Sequence, residues 1–263
     1  MFKNLISRQS KMHTKREDNL SKVPEVTLIF WIIKIAATTL GETGGDTVSM
    51  SMNLGYLVGT AIFAAFFIVA VIVQISSKRF HPFLYWSTII ATTTVGTTLA
   101  DFADRSLGIG YAGGTSILFT LLMASLLIWH RTLGSISIET VSSPTTEIFY
   151  WVTIMFSQTL GTALGDWTAD TAGLGYTGSA ALFTALLALV AAMYYWTKIS
   201  HTFLFWVAFI LTRPLGAVVG DFLDKPLSDG GLALSRYSAS MVLLVSIVAC
   251  IFFFPQRAAT KGH

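Results

Sequence analysis

Residues 31–46 read WIIKIAATTLGETGGD, and the same pattern begins again at Trp86, Trp151 and Trp206. In every copy a glycine lies ten residues after the tryptophan, a small residue fourteen after it and an aspartate fifteen after it. Another glycine follows nine residues beyond the aspartate. Repetition at fixed spacing is typical of a chain built from one structural unit. The recurring positions are Gly41, Gly96, Gly161 and Gly216; Gly45, Ala100, Gly165 and Gly220; Asp46, Asp101, Asp166 and Asp221; and Gly55, Gly110, Gly175 and Gly230.

The four copies form two halves. Successive tryptophans are 55, 65 and 55 residues apart, and the longer interval contains a polar link between the second and third copies. We therefore expect two repeat pairs of four helices each, flanked by tails. The predicted segments are a disordered basic cytoplasmic tail (1–22), the first repeat pair (23–131), a cytoplasmic linker (132–147), the second repeat pair (148–254) and a cytoplasmic tail (255–263).

Composition favours a membrane protein. Apolar residues make up 53% of the 263 residues and charged residues only 12%, about half the charged share of a soluble domain. Eight apolar runs each have the length of a membrane-spanning helix, about 20 residues, and the alternating pattern of a β-barrel strand is missing. The prediction is an all-α polytopic membrane protein with eight transmembrane helices, arranged as four pseudo-equivalent helical hairpins. The runs are 26–45, 56–77, 83–100, 111–130, 148–165, 176–197, 203–220 and 237–256.

Charge predicts the orientation. Basic residues outnumber acidic ones in the tails and in the links between repeats, whereas the turns within repeats are acidic. Since lysine and arginine concentrate in cytoplasmic loops, both termini are expected in the cytoplasm. Tryptophans and tyrosines near the span ends predict an interfacial belt.

The pattern resembles a family of bacterial membrane proteins that is defined by a tandem repeat of unknown function. In that family four copies of two spans each carry a characteristic tryptophan. The resemblance covers residues 23 to about 254 and rests on the four tryptophans and on the Gly-Asp pairs at 45–46, 165–166 and 220–221; the second copy departs, with Ala100 before Asp101. It implies an architecture of eight spans, a location in the inner membrane of a bacterium and no particular activity.

Each odd-numbered span combines a seam of small residues with a polar stripe. Small residues four apart, such as Gly41 and Gly45, allow helix backbones to approach closely in lipid. Polar residues at spacing i, i+3 and i+7 share one helix face, so the four odd helices are expected to surround a polar centre, with the even helices outside. The stripes are Thr39–Glu42–Asp46, Thr94–Thr97–Asp101, Thr159–Thr162–Asp166 and Pro214–Ala217–Asp221; the seams are Gly41–Gly45, Gly96–Ala100, Gly161–Gly165 and Gly216–Gly220.

Charged side chains inside the spans suggest a site. Each costs about 2.5–3.5 kcal/mol to insert, so an intramembrane charge marks a pathway or a binding site by default. Glu42 lies one turn inside Asp46, and Lys34 and Arg213 lie deeper, where they are expected to compensate carboxylate charge. The sequence therefore predicts that Asp46, Asp101, Asp166 and Asp221 converge on the axis and bind a metal ion, with oxygen ligands that suit Mn²⁺, Mg²⁺ or Ca²⁺.

Two interpretations of function stay open. The first is a transporter of a small ion, with a divalent metal cation as the best single choice and proton-coupled export as one form of it. The second is a structural or accessory membrane protein whose aspartates cap helices and form turns. No catalytic motif is present, so neither an enzyme nor a cofactor is predicted. The expected partners are the lipid bilayer and the small ion; nucleic acid is not expected, and oligomerisation is left open.

Overall fold

A computed structural model describes residues 21–260. Within that range the chain forms eight long α-helices, no β-strand and one isolated bridge between Pro24 and Ala258. The all-α prediction is confirmed. The helices are α1 (Leu28–Asp46), α2 (Gly55–Ser76), α3 (Pro82–Asp101), α4 (Tyr111–Leu133), α5 (Pro144–Asp166), α6 (Gly175–Trp196), α7 (His201–Asp224) and α8 (Arg236–Phe253).

The four odd-numbered helices form a closed ring. Helix α1 packs against α3, α3 against α5, α5 against α7, and α7 against α1. The even-numbered helices lie outside this ring, and each packs mainly against the odd helix of the following repeat: α2 on α3, α4 on α5, α6 on α7 and α8 on α1. The two helices of one repeat therefore pack mainly against other repeats and not against each other. Both flanks of every odd helix are occupied by its ring neighbours, so the even helix reaches across to the next repeat.

Glycine makes the ring possible. A Cβ atom added to Gly41 would overlap the Thr93 side chain of the next odd helix, and one at Gly161 would overlap Arg213. The other two copies repeat this geometry, with Gly96 against the backbone of Gln158 and Gly216 against Thr38. Each of these glycines meets the residue seven after the tryptophan in the next copy, so the same close contact occurs around the whole ring.

The last recurring glycine of each copy has a separate role. Gly55, Gly110, Gly175 and Gly230 all have φ between +64° and +85°, a backbone conformation that other residues rarely adopt. In the first three copies a π-helical segment precedes this turn, over Thr47–Ser51, Phe102–Ser106 and Trp167–Thr171. The glycine then allows the chain to reverse into the even helix.

The distribution of polarity is inverted relative to a soluble protein. Large apolar side chains on the even helices are exposed, such as Phe66, Ile72, Ile117 and Val242, whereas the ring buries charged and hydroxyl groups. Five helices are long and apolar enough to cross a membrane: α2, α4, α6, α7 and α8. The other three, α1, α3 and α5, have polar side chains buried in the ring.

A buried aromatic cluster closes one end of the ring. Trp86, Trp151 and Trp206, three of the four repeat tryptophans, are at most 3% exposed, and Trp129 packs among them. These four are not part of an interfacial belt, and that prediction is wrong for them. Exposed aromatic residues do occur at the end of α6, where Tyr194, Tyr195 and Trp196 are found.

The ends of the described chain pack under this aromatic cluster. Ser21 donates to the Ile138 carbonyl at 2.6 Å, and Lys22 pairs with Glu147, also at 2.6 Å. The Ala259 amide donates to the Val23 carbonyl at 2.8 Å. Residues 21–22, 134–143 and 255–260 are therefore one packed layer rather than separate tails and a linker, because their polar groups satisfy one another. The rest of the predicted N-terminal tail, residues 1–20, lies outside the described residues.

The glycine contacts can be tested by adding one methyl group. Gly161→Ala should lower the free energy of unfolding by about 1–3 kcal/mol, since the new Cβ overlaps Arg213 in a closely packed ring. Gly44→Ala is the matched control, because a Cβ at Gly44 has no neighbour within 4 Å. Unfolding of both variants in detergent micelles measures the difference. Equal stability would show that close packing at Gly161 is not what holds the ring together.

Candidate functional site

Sixteen side chains at four-residue intervals occupy the interior of the ring. They lie three, seven, eleven and fifteen residues after each repeat tryptophan, a spacing that keeps them on one helix face. All are at most 3% exposed. From the aromatic end outward the four layers are Lys34, Ile89, Ile154 and Phe209; Thr38, Thr93, Gln158 and Arg213; Glu42, Thr97, Thr162 and Ala217; and Asp46, Asp101, Asp166 and Asp221.

Arg213 ties the middle of the ring together. Its Nη2 atom donates to Glu42 Oε2 at 3.1 Å, to the Thr97 hydroxyl at 2.6 Å and to the Thr162 hydroxyl. These three acceptors come from α1, α3 and α5, so one guanidinium on α7 contacts all three of the other helices in the ring. The Thr97 hydroxyl also lies 3.3 Å from Glu42 Oε2. The predicted pairing of Arg213 with a carboxylate is present, with Glu42 as its partner.

The four aspartates form the outer layer, and two bases join them in pairs. Lys225 Nζ lies 2.5 Å from Asp46 and 3.0 Å from Asp221, which joins α1 to α7. Arg105 lies 2.9 Å from Asp101 and 3.4 Å from Asp166, which joins α3 to α5. Glu42 is close to this layer, because one carboxylate oxygen each of Glu42, Asp46 and Asp101 lie within 4.8 Å of one another. The structure thus brings the predicted aspartates together.

Three bases of this site were missed at the level of sequence. Arg105 and Lys225 belong to the acidic turns within the repeats, although each lies four residues after an aspartate, Asp101 and Asp221. Side chains at that spacing meet on a helix. That spacing was the available signal. Arg236 pairs with Asp224 at 2.8 Å and comes within 3.7 Å of Asp46. It begins α8, and no sequence pattern places it beside α1.

Two groups of predicted residues have other contacts. The hydroxyls of Thr39, Thr94 and Thr159 donate to carbonyls four residues earlier in their own helices, at 2.7–3.0 Å, rather than to the charged groups. Lys34 Nζ lies 3.5 Å from the Thr212 hydroxyl and 4.1 Å from the centre of the Phe209 ring. Within residues 21–260 it has no carboxylate at ion-pairing distance, so it does not compensate one directly.

Carboxylates outnumber bases in the outer half of the ring. Glu42 is matched by Arg213, but the aspartate layer with Asp104 and Asp224 has six carboxyl groups against Arg105, Lys225 and Arg236. Burial raises the pKa of Asp104, and Arg105 opposes that shift. Burial lowers the pKa of Lys225, but the carboxylates of Asp221, Asp46 and Asp224 outweigh it and hold that pKa above its ordinary value. Lys225 is therefore a protonated cation in a negative environment.

Several buried polar atoms of the site have no hydrogen-bond partner among the described residues. They include Asp46 Oδ1 and Asp224 Oδ1 in the outer layer, and both amide atoms of Gln158 and Arg213 Nε and Nη1 further in. A buried polar group without a partner is costly, so these atoms point to water, an ion or a polar ligand. The interior itself is closed, since all four layers are buried.

Comparison with known proteins identifies the repeat and nothing beyond it. A family model described as Repeat of Unknown Function (DUF347) matches four segments in tandem: residues 29–80, 84–135, 149–200 and 204–257. No curated protein and no solved structure matches the chain. The matched segments follow the four copies identified by the tryptophans.

A double mutant tests the Glu42–Arg213 pair. Arg213→Met should lower the free energy of unfolding by about 3–5 kcal/mol, because it leaves Glu42 charged, buried and unpaired. Glu42→Met combined with Arg213→Met should recover most of that loss, since an apolar pair of similar volume has no charge to desolvate. Denaturant unfolding in micelles provides the measurement. If the single and double variants are equally unstable, Arg213 acts through packing and not through its charge.

Proposed function

We propose that this chain, which belongs to the DUF347 repeat family of unknown function, is a membrane transporter of a small cation with eight spans. The proposal rests on the ring of odd helices. A divalent metal ion is the substrate that we favour. The observation that carries the proposal is the outer layer, where carboxylates from all four repeats meet and exceed the bases that face them.

The distribution of polarity supports eight spans rather than five. Helices α1, α3 and α5 are less apolar than the others because they contribute most of the polar side chains of the ring. Those side chains are shielded from lipid by neighbouring helices, and membrane helices tolerate polar residues in that position. The even helices present their apolar side chains outward, as a lipid-facing surface requires.

Loop charge supports the orientation. The links between repeats carry Lys78, Arg79 and Lys198, and the last turn of α4 carries Arg131. All four lie on the same end of the bundle as the packed layer of residues 21–22, 134–143 and 255–260. The positive-inside rule assigns this end to the cytoplasm. The aspartate layer then lies toward the outside of a bacterial inner membrane, with both termini cytoplasmic.

The ligand chemistry favours a divalent cation. Two sets of three carboxylates have oxygens within 4.8 Å of one another: Glu42, Asp46 and Asp101, and Asp46, Asp221 and Asp224. Carboxylate oxygens at this separation suit the coordination of Mn²⁺, Mg²⁺ or Ca²⁺. Arg213, further in, places a fixed positive charge on the axis that an ion has to pass. Because carboxylates in excess of bases can take up and release protons, we propose in addition that export of the ion is driven by protons.

A structural or accessory role is the second candidate, and the close packing of the ring favours it. The glycines that surround the axis contact Thr38, Thr93, Gln158 and Arg213 directly, and both ends of the interior are closed. A transporter has to open this interior, whereas a scaffold has no need to. Ion flux separates the two.

Flux through reconstituted vesicles is the decisive measurement. Purified protein should move Mn²⁺ or Ca²⁺ across the vesicle membrane, and an internal pH dye should detect coupled protons. Asp46→Asn or Asp221→Asn should abolish the flux while the protein stays folded, because the amide has the shape of the carboxylate without its charge. Asp170→Asn is the control, since Asp170 is exposed in the π-helical segment that follows the aspartate layer. Absence of flux for any tested ion would favour the structural role.

Cysteine labelling tests the orientation. In a Cys250→Ser background, Thr197→Cys in a link between repeats should react from the cytoplasm, and Ser228→Cys in an acidic turn should react from outside. Both positions are exposed. Labelling of intact cells with an impermeant maleimide, before and after permeabilisation, distinguishes the two sides. Reaction of both cysteines from one side would exclude the proposed spans.

A further inference from the structure

Lys225 lies in one of the carboxylate groups, where its ammonium bridges two of the three members, Asp46 and Asp221. Its ammonium lies 2.5 Å from Asp46 Oδ2 and 3.0 Å from Asp221 Oδ1, and Asp224 completes the group of three carboxylates. We propose that Lys225 is a tethered substitute for the transported divalent cation: its ammonium fills the binding site between Asp46, Asp221 and Asp224 in the closed protein, and it has to withdraw when the metal ion binds. This inference rests on the proposed function and names the site and its competitor.

The charge of the group favours exchange for a divalent ion. When all three are ionised, Asp46, Asp221 and Asp224 carry three negative charges, and Arg236 contributes one positive charge from 2.8 Å and 3.7 Å away. With the ammonium in place, one negative charge remains unbalanced. A divalent ion in the same position would leave none. Asp46 Oδ1 and Asp224 Oδ1, which have no partner within residues 21–260, are further ligand atoms for it.

The position of Lys225 allows its side chain to leave without disturbing the ring. Helix α7 ends at Asp224, and Lys225 has an extended backbone at φ −73° and ψ 156°. Its carbonyl is held by the Ala233 amide at 2.9 Å, and Gly231 packs directly on its backbone. The first three copies have a tyrosine where the fourth has Gly231. The loop therefore fixes the backbone of Lys225, while four methylene groups connect it to the ammonium.

The related base in the other half of the layer is less suited to exchange. Arg105 joins Asp101 and Asp166, but its planar guanidinium is larger than a metal ion, and its side chain is about one-third exposed. A lysine ammonium is a compact point charge with three donors on a flexible stem. The proposed metal site is therefore formed by repeats 1 and 4, and the pair around Arg105 stays intact.

Metal affinity tests the proposal. Mn²⁺ is titrated into the purified full-length protein in micelles by calorimetry. Lys225→Met should lower the Kd for Mn²⁺ by about tenfold or more, because the competing charge is gone and Asp46 and Asp221 lose their ammonium partner. Arg105→Met removes the same charge from the same layer and should lower the Kd much less. Lys198→Met, in an exposed link, should leave it unchanged.

Each outcome decides between the alternatives. If Lys225→Met and Arg105→Met lower the Kd for Mn²⁺ equally, the effect is general electrostatics and the proposal is overturned. An unchanged Kd in Lys225→Met would overturn it as well. If Lys225→Met does not fold, Lys225→Arg keeps the charge and should weaken Mn²⁺ binding, since the larger group leaves the site less readily; unaltered binding contradicts the proposal. A wild-type protein that neither binds nor transports Mn²⁺ or Ca²⁺ would instead reject the proposed function itself.

Discussion

The close contact between a glycine of one odd helix and the next odd helix is the constraint on which the structure depends. Gly41, Gly96, Gly161 and Gly216 each receive the residue seven positions after the next tryptophan. Any Cβ at these positions would push two helices apart. Because the contact occurs four times, the helices close into a ring, and the even helices have only the outer grooves in which to pack.

When the ring closes, the charged side chains of the odd helices become buried in its interior. There they form ion pairs that connect particular repeats. Arg213 uses one nitrogen to contact three other helices, whereas Lys225 and Arg105 each join two aspartates. All ion pairs between odd helices join α1 to α7 or α3 to α5. The electrostatic units are thus the first repeat with the fourth and the second with the third, rather than the two halves of the sequence.

These buried ion pairs contribute little net free energy to folding, because desolvation offsets the attraction between the charges. Replacing a buried ion pair by apolar side chains of similar volume is often neutral or stabilising. The transport of an ion that we propose would account for these charges, and the excess of carboxylates in the outer layer is the reason that we propose a cation. The closed aromatic end, with the Tyr85 and Tyr150 hydroxyls 2.6 Å apart, isolates the layer from the opposite side.

The sequence by itself determined the four repeats, the helical class, the ring of odd helices and the convergence of the four aspartates, because fixed spacing and helical periodicity place equivalent residues on equivalent faces. Only the tertiary structure decided the partners. Which odd helix receives an even helix, and which aspartates share Lys225 or Arg105, depends on the order and hand of the ring, and no local pattern encodes these. For the same reason Arg236 and the buried tryptophans escaped prediction: their contacts lie on helices distant in the chain.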